Sequence, residues 1–456
     1  MNQSEEILER LKKIECIFTW ELETLNEIED DSKTHDDENF VPLLLWIRSL
    51  VQVYESVQKK NFSEAKESLK LAEDTWNSVK EKHEKDVSLN VLENIYKGTK
   101  CFLLLEENCF DEIDEILKTL HNDIDYEKNI MDRSTLNGCK SIAWSKYKEA
   151  GEFGIKNVIE FSQLSIKDNG NCDVWHFILG KNLRRLRRME NFLTKPTKKE
   201  ELAFQKAYQL SKEPTFGIYL AQMHKEKRDR NRALKIYKEI YNSKPESASI
   251  NLRLALGFIR LGCLPLAKKC LDFAESRVPD DSMFLHYKGI YLENIKNFKE
   301  AAIYFKKAST GFNYGAENSF LKCQAKSGEK YDFVKHLEEM LVTYVKYESR
   351  ILDIYLQLAA CYYMCNHDLS NAAKYYLLAF EKFPNNSIFE LHQCILGGRT
   401  CIYTFLSTDF LPNAFSSKNL DIETIKICKK LKEICNNRER NQQKETELNF
   451  RKMSLS

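Results

Sequence analysis

Between Asp173 and Arg188 the sequence sets four cations at helical spacing: Lys181, Arg184, Arg185 and Arg188 fall at i, i+3, i+4 and i+7. Guanidinium groups so arranged could grip a phosphate, because each arginine offers a planar fork of N–H donors that matches phosphate oxygens. The opposite side of the same stretch carries Trp175, Ile178, Leu179, Leu183 and Leu186. A charged helix face more often meets water than a ligand. The direction in which this face points therefore decides its meaning. Overall charge does not help, since 69 basic residues against 68 acidic ones leave a formal net charge of +1. Any affinity for nucleic acid or for a membrane surface has to come from local clustering.

Other chemistry is hard to find. The chain has no phosphate-cradling Gly-Lys-Ser/Thr loop, no dinucleotide glycine fingerprint, no Gly-x-Ser-x-Gly elbow and no His-Glu-x-x-His pair. The nine histidines have no histidine partner at i+3 or i+4. Cys361 and Cys365 lie one helical turn apart near His367, but a second pair of ligands is missing. The carboxylates of Asp30, Asp31, Asp36, Asp37 and Glu38 read as a solvated acidic loop. No catalytic residue, metal site or cofactor is expected, and the chain reads as a non-enzyme. The fourteen cysteines contain no Cys-x-x-Cys pair and sit mostly in apolar settings, as Cys101, Cys263, Cys270, Cys323 and Cys361 do. They are expected to be reduced, as in the cytoplasm. The polar start, Met1-Asn2-Gln3-Ser4-Glu5-Glu6, is unlike a secretory signal, and no apolar run approaches a membrane span. A soluble cytoplasmic protein follows as the expectation.

The elements that must hold the basic stretch are helices. Glycine (15) and proline (8) are scarce, and helix formers dominate. Ala221, Ala255 and Gly289 are each 34 residues apart. Ala233, Ala267 and Ala301 follow at a fixed offset, then Tyr237, Leu271 and Phe305, then Ile240, Ala274 and Ala308. Pro245 and Pro279 close the first two units. This is the tetratricopeptide pattern, in which two antiparallel helices cross at small residues and a large residue fills the groove beside them. The same ruler places a unit on Val53, Ala65, Leu69 and Ala72, and another on Ala360, Tyr363, Ala372, Tyr376, Ala379 and Pro384. Gly180, Phe204 and Ala207 fit a third, with a loop inserted around Asn191–Lys199. Weaker hairpins cover about 89–125, 138–167 and 315–345. The expected fold is all-α, a right-handed superhelical tetratricopeptide solenoid. Its parts are an N-terminal helix and acidic loop (1–40), N-terminal hairpins (41–170), central units with the basic helix (171–310), C-terminal units ending in a capping helix around Ile422, Ile425, Cys428 and Leu431 (311–435), and a polar, frayed tail (436–456).

In such arrays one face of each first helix lines a concave groove. Counting Gly180 as the eighth residue of its repeat puts Phe177 fifth, Lys181 ninth, Arg184 twelfth and Arg185 thirteenth, all on that face. The same face carries Ile218, Gln222, Lys225 and Glu226 in the next unit, then Leu252, Leu256, Ile259 and Arg260, then His286, Ile290, Glu293 and Asn294. Lys181, Arg184 and Arg185 are expected to hold phosphate. Lys225, Arg260 and His286 would extend the track, and Phe177 could stack on a base. The bland alternative is that these arginines pair with the acidic loop at 27–39 or with acidic helices of the solenoid.

Three stretches carry a family resemblance. Cys16-Ile17-Phe18-Thr19-Trp20-Glu21-Leu22 resembles the N-terminal Cys-His-Phe-Thr-Trp-Asn-Leu segment of the interferon-induced proteins with tetratricopeptide repeats. Gly138-Cys139-Lys140 through Asp168-Asn169-Gly170 is similar to the repeat that precedes that family's basic helix, and Ser282-Met283-Phe284-Leu285-His286 is similar to its Ser-Ser-Phe-Leu-His-His. The likeness spans roughly residues 7–385, as of a distant member. It implies a groove that binds 5′ ends of single-stranded RNA, with Arg185 on the 5′ phosphates and with Arg260 and His286 further along. An aromatic and a lysine of the family are matched with a one-residue offset by Trp144 and by Lys146 or Lys148. The family's phosphate-touching Thr and Gln have no counterpart in this acidic loop. The function implied is a non-catalytic RNA-binding protein of antiviral innate defence, with other tetratricopeptide, host or viral proteins as further partners. The alternative is an adaptor that binds a peptide. A Lys/Asn carboxylate clamp is disfavoured by Ile218, Gln222, Leu252 and Leu256, and the Leu252-Leu256-Ile259 surface is the best support for other peptide modes.

Overall fold

The computed structural model describes residues 3–22, 41–146, 151–190, 194–310, 312–417 and 420–453. The acidic loop at 27–39 and Lys148 lie outside the described residues. The chain forms two compact units, Met1–Arg277 and Val278–Ser456.

The first unit opens with the helix Gln3–Leu11 and a short turn at Ile17–Thr19, both packed on the helix Leu89–Glu106. Ile7 and Leu11 join Cys101, Leu104 and Ile113 in one apolar cluster, and Phe18 stacks on Phe102 with ring centroids 4.7 Å apart. Among the described residues helix pairs then follow in order. Pro42–Gln58 packs on Phe62–His83, Leu89–Glu106 on Phe110–Lys118, and Ile130–Lys146 on Gly151–Asp168. Asp173–Glu190 packs on Lys198–Ser211, Pro214–Glu226 on Arg230–Asn242, and Ala248–Leu261 on Leu264–Glu275. The break between Glu190 and Lys198 is the expected insertion.

The repeat rule is visible in burial. Ala221, Ala233, Ala255 and Ala267 are fully buried, as are Leu271 and Ala274, with Tyr237 and Ile240 nearly so. Close approach dictates the small residues. A Cβ added at Gly180 would stand 2.9 Å from the Phe204 ring, so only glycine lets these paired helices meet there. Helix starts are set by side chains that accept an otherwise orphaned N–H: Asn61 from Glu64, Thr197 from Glu200, Asp229 from Arg232 and Ser247 from Ile250. The turns also repeat. Arg228, Gly262 and Lys296, spaced 34 residues apart, take positive φ of 64°, 79° and 65° to end the first helix of their repeats.

The second unit begins with the pair Ser282–Asn294 and Phe298–Ser309, whose Gly289, Ala301, Phe305 and Ala308 are buried on the same pattern. Tyr314–Ser327, Phe333–Thr343, Glu348–Met364 and Leu369–Lys382 follow. A two-residue antiparallel ladder then pairs His392 with Thr400 and Gln393 with Arg399. The last helix, Ile422–Met453, seals the end: Cys428 and Leu431 enter a core with Tyr376, Phe389 and Phe410. Residues expected to fray after 435 continue this helix to Met453, because Glu, Gln, Lys and Arg without Gly or Pro sustain it. The fourteen cysteines form no disulfide, and ten of them are buried. No helix of the described residues is long and apolar enough to cross a membrane. The fold is an all-α tetratricopeptide-repeat fold.

Candidate nucleic-acid interface

The basic helix Asp173–Glu190 lies beside Pro214–Glu226, and the helix Ala248–Leu261 follows on the other side of Pro214–Glu226. Most of the arginines on the basic helix meet one carboxylate. Glu226 accepts from Arg184, from Arg187 Nη2 at 2.6 Å and from Arg188 Nη2 at 2.7 Å. Arg184 also donates to Gln222 Oε1 at 3.1 Å and lies 5.9 Å above the Tyr219 ring. Arg187, which the stripe reading passed over, is buried. Its Nε and Nη2 fork onto Glu200 at 2.9 and 3.1 Å. Burial raises the Glu226 carboxyl, but Arg184, Arg187 and Arg188 overcome it and hold the group below the ordinary range. Part of the bland alternative is therefore realised: Arg184 is committed to a carboxylate within its own unit.

Lys225 is different. It is half-buried, and among the described residues no carboxylate forms an ion pair with it. Burial pushes its ammonium down to about 8, and Arg260 pushes the same way, as do Arg184 and Arg188; Glu226 opposes them. Arg260 is exposed and likewise has no ion-pair partner among the described residues. Around Lys225 five cations, Arg184, Arg187, Arg188, Lys225 and Arg260, thus face two carboxylates, Glu200 and Glu226. The Tyr237 hydroxyl borders the same cluster: burial pushes it up to about 12 while Arg260, Arg253 and Arg184 pull it back. Arg253, on the same helix as Arg260, lies 5.1 Å over the Tyr219 ring.

Several expected contacts stand elsewhere. Phe177 offers no face to a base. Its ring is fully buried, stacked on Phe216 at 4.5 Å and edge-on to Tyr219 at 5.0 Å. Trp144 is also buried, set edge-on to Phe153. Lys146 Nζ donates to Gln52 Oε1 and Glu55 Oε2, each at 2.8 Å, so its charge is met inside the helix stack. Arg185 and Lys181 are half-buried, and Arg185 Nη1 reaches Ser145 O at 3.3 Å and Asn182 Oδ1 at 3.1 Å. His286 belongs to the second unit, where Nδ1 meets Asn313 Nδ2 at 3.4 Å and the ring lies edge-on to Phe305. The apolar surface offered for a peptide is mostly consumed, since Leu252 and Ile259 are buried. Within the first unit the structure therefore gathers Arg184, Lys225 and Arg260 from the expected set. It adds Arg188, the fourth cation of the stripe, Glu226, placed by the repeat frame on the groove face, and Arg187, which spacing left out.

Paired helices on a 34-residue period, crossing at small residues, define a tetratricopeptide-repeat protein. Among solved structures its fold is shared with human IFIT1. The IFIT1 dimer with PPP-AAAA superposes with a TM-score of 0.63 at 16% identity, covering 94% of this chain and 96% of that one. The IFIT1 dimer with m7Gppp-AAAA gives 0.64 at 16% identity, covering 97% and 99%. No protein-family model matches the chain, and no curated protein matches it by sequence.

Proposed function

We propose that this chain is a distant member of the interferon-induced proteins with tetratricopeptide repeats: a non-catalytic, cytoplasmic protein that binds the 5′-phosphorylated end of single-stranded RNA in antiviral defence. The observation that carries this reading is Lys225, half-buried among arginines without a carboxylate of its own. A cation left in that state destabilises the cluster until an anion arrives. A phosphate supplies the missing charge and accepts the forked N–H donors that Arg260 and its neighbours present. The fold shared with human IFIT1, solved with PPP-AAAA and with m7Gppp-AAAA, supports RNA as the source of that phosphate. Phosphate contacts of this kind give affinity that falls with salt.

The test is a titration with single-stranded RNAs bearing 5′-OH, monophosphate, triphosphate or cap, at two salt concentrations, on the wild type, Lys225→Glu and Arg260→Glu. The phosphorylated ends are expected to bind more tightly than 5′-OH, with affinity lower at high salt and at least about tenfold lower in each variant. Absence of binding to every RNA, or unchanged affinity in both variants, refutes the proposal.

A further inference from the structure

The basic helix begins at a second cluster that the anion site does not use. His83 is the last residue of the helix Phe62–His83, Cys172 immediately precedes the basic helix, and Asp173 opens it. His83, Cys172 and Asp173 are 1%, 0% and 4% exposed. One ligand atom from each, an imidazole nitrogen, the thiol sulfur and a carboxylate oxygen, lies within 4.8 Å of the other two. His83 Nδ1 stands 4.0 Å from Asp173 Oδ1, beyond hydrogen-bond reach. Both ring nitrogens of His83 and both carboxylate oxygens of Asp173 are buried without a hydrogen-bond partner.

Such a set is costly as it stands. An isolated buried carboxylate loses several kcal/mol of hydration unless a cation or donors replace the water. Trp175 Nε1, on the same helix as Asp173, is also buried without a partner, but other polar groups nearby are satisfied. Asn169 Nδ2 donates to Asp86 O at 2.7 Å, the backbone N–H of Asn171 donates to Asn169 Oδ1 at 3.1 Å, and His176 Nε2 meets Gly170 O at 3.0 Å. Four of the five orphaned polar atoms here belong to the two side chains that converge with a thiol.

We propose that His83, Cys172 and Asp173 bind a divalent transition-metal ion, zinc by the chemistry of the set. Nitrogen, sulfur and oxygen donors together suit a borderline-soft ion, and they exclude the all-oxygen preference of calcium and magnesium. Around a tetrahedral zinc, with bonds of about 2.0 to 2.3 Å, ligand atoms stand roughly 3.3 to 3.7 Å apart. The 4.0 Å between His83 and Asp173 needs only a small closure to reach that spacing. On binding, Cys172 gives its thiol proton to solvent and ligates as thiolate. Three protein ligands leave the fourth position to water. The ion would tie the end of Phe62–His83 to the start of the basic helix, across ninety residues of sequence from His83 to Asp173.

The test uses the full chain with the exposed thiols Cys109 and Cys365 changed to serine, stripped with chelator and titrated with Co²⁺ and then Zn²⁺. The expected result is one cobalt per chain, a thiolate-to-cobalt charge-transfer band, displacement by zinc and a higher thermal midpoint with zinc. Cys172→Ser is expected to lose the band, while Cys270→Ser keeps it. If circular dichroism shows Cys172→Ser unfolded, His83→Gln decides instead, with cobalt affinity at least about tenfold weaker. No band in the parent chain, or an unchanged band or affinity in the variant that folds, overturns the proposal.

Discussion

The proposed anion site carries a pH signature that would separate Lys225 from its neighbours. Its ammonium is pushed from the ordinary lysine value of 10.5 to about 8, first by burial and then by Arg260. A ligand that needs the charged form sees about nine-tenths of the molecules competent near pH 7 and about one-tenth near pH 9. RNA affinity should therefore fall roughly tenfold over that interval. The phosphate does not produce this fall, because its second proton leaves at about pH 6 and its charge only rises over the interval. Arginine does not deprotonate in this range, so Lys225→Arg should flatten the profile. The apo protein should move the other way. A folded-state value below the unfolded one means that protonation disfavours the fold, so this group's penalty is full below about pH 8 and disappears as pH rises toward 10.5. The assay is fluorescence anisotropy with one 5′-triphosphate RNA at constant ionic strength across the interval, on wild type and Lys225→Arg. A flat wild-type profile, or the same slope in the arginine variant, refutes the placement of phosphate at Lys225.

Glu226→Gln should cost about 2–4 kcal/mol in urea denaturation, since a carboxylate only 18% exposed is withdrawn from Arg184, Arg187 and Arg188; the same variant should bind phosphorylated RNA more tightly. Phe177→Ala should lose about 3–5 kcal/mol of stability, read as a lower unfolding midpoint, and leave affinity per folded molecule unchanged. Lys296→Gly should stabilise by about 1 kcal/mol, seen as a higher thermal midpoint, because Lys296 holds a positive φ of 65° that glycine adopts without a Cβ clash.

The repeat architecture was legible because crossing helices demand small residues at fixed intervals, and Ala221, Ala255 and Gly289 record that demand directly. For the candidate site, spacing assigns side chains to a face but not to a depth. Face arithmetic aims Phe177 toward the groove, yet Phe216 and Tyr219 of the next helix close over its ring. Spacing could not reveal that Arg184 pairs with Glu226, which lies 42 residues on. Nor could it join His83 to Cys172 and Asp173, since local ligand patterns presuppose ligands on one helix or turn. Spacing put Lys225 on the face assigned to the groove, but could not show that burial, and then Arg260 and its neighbours, would push its ammonium down.

The three guanidiniums on Glu226 make the protein its own first ligand. A tethered carboxylate has an effective concentration fixed by the fold, which neither dilution nor buffer can lower. Any incoming anion that reaches Arg184, Arg187 or Arg188 competes against that constant occupant, whereas one that stops at Lys225 and Arg260 does not. On the proposed function, ligands of low charge density would be held off at the inner arginines, and a compact, multiply charged group would displace the carboxylate. Glu226 would thus set a threshold on charge density, built from a single side chain.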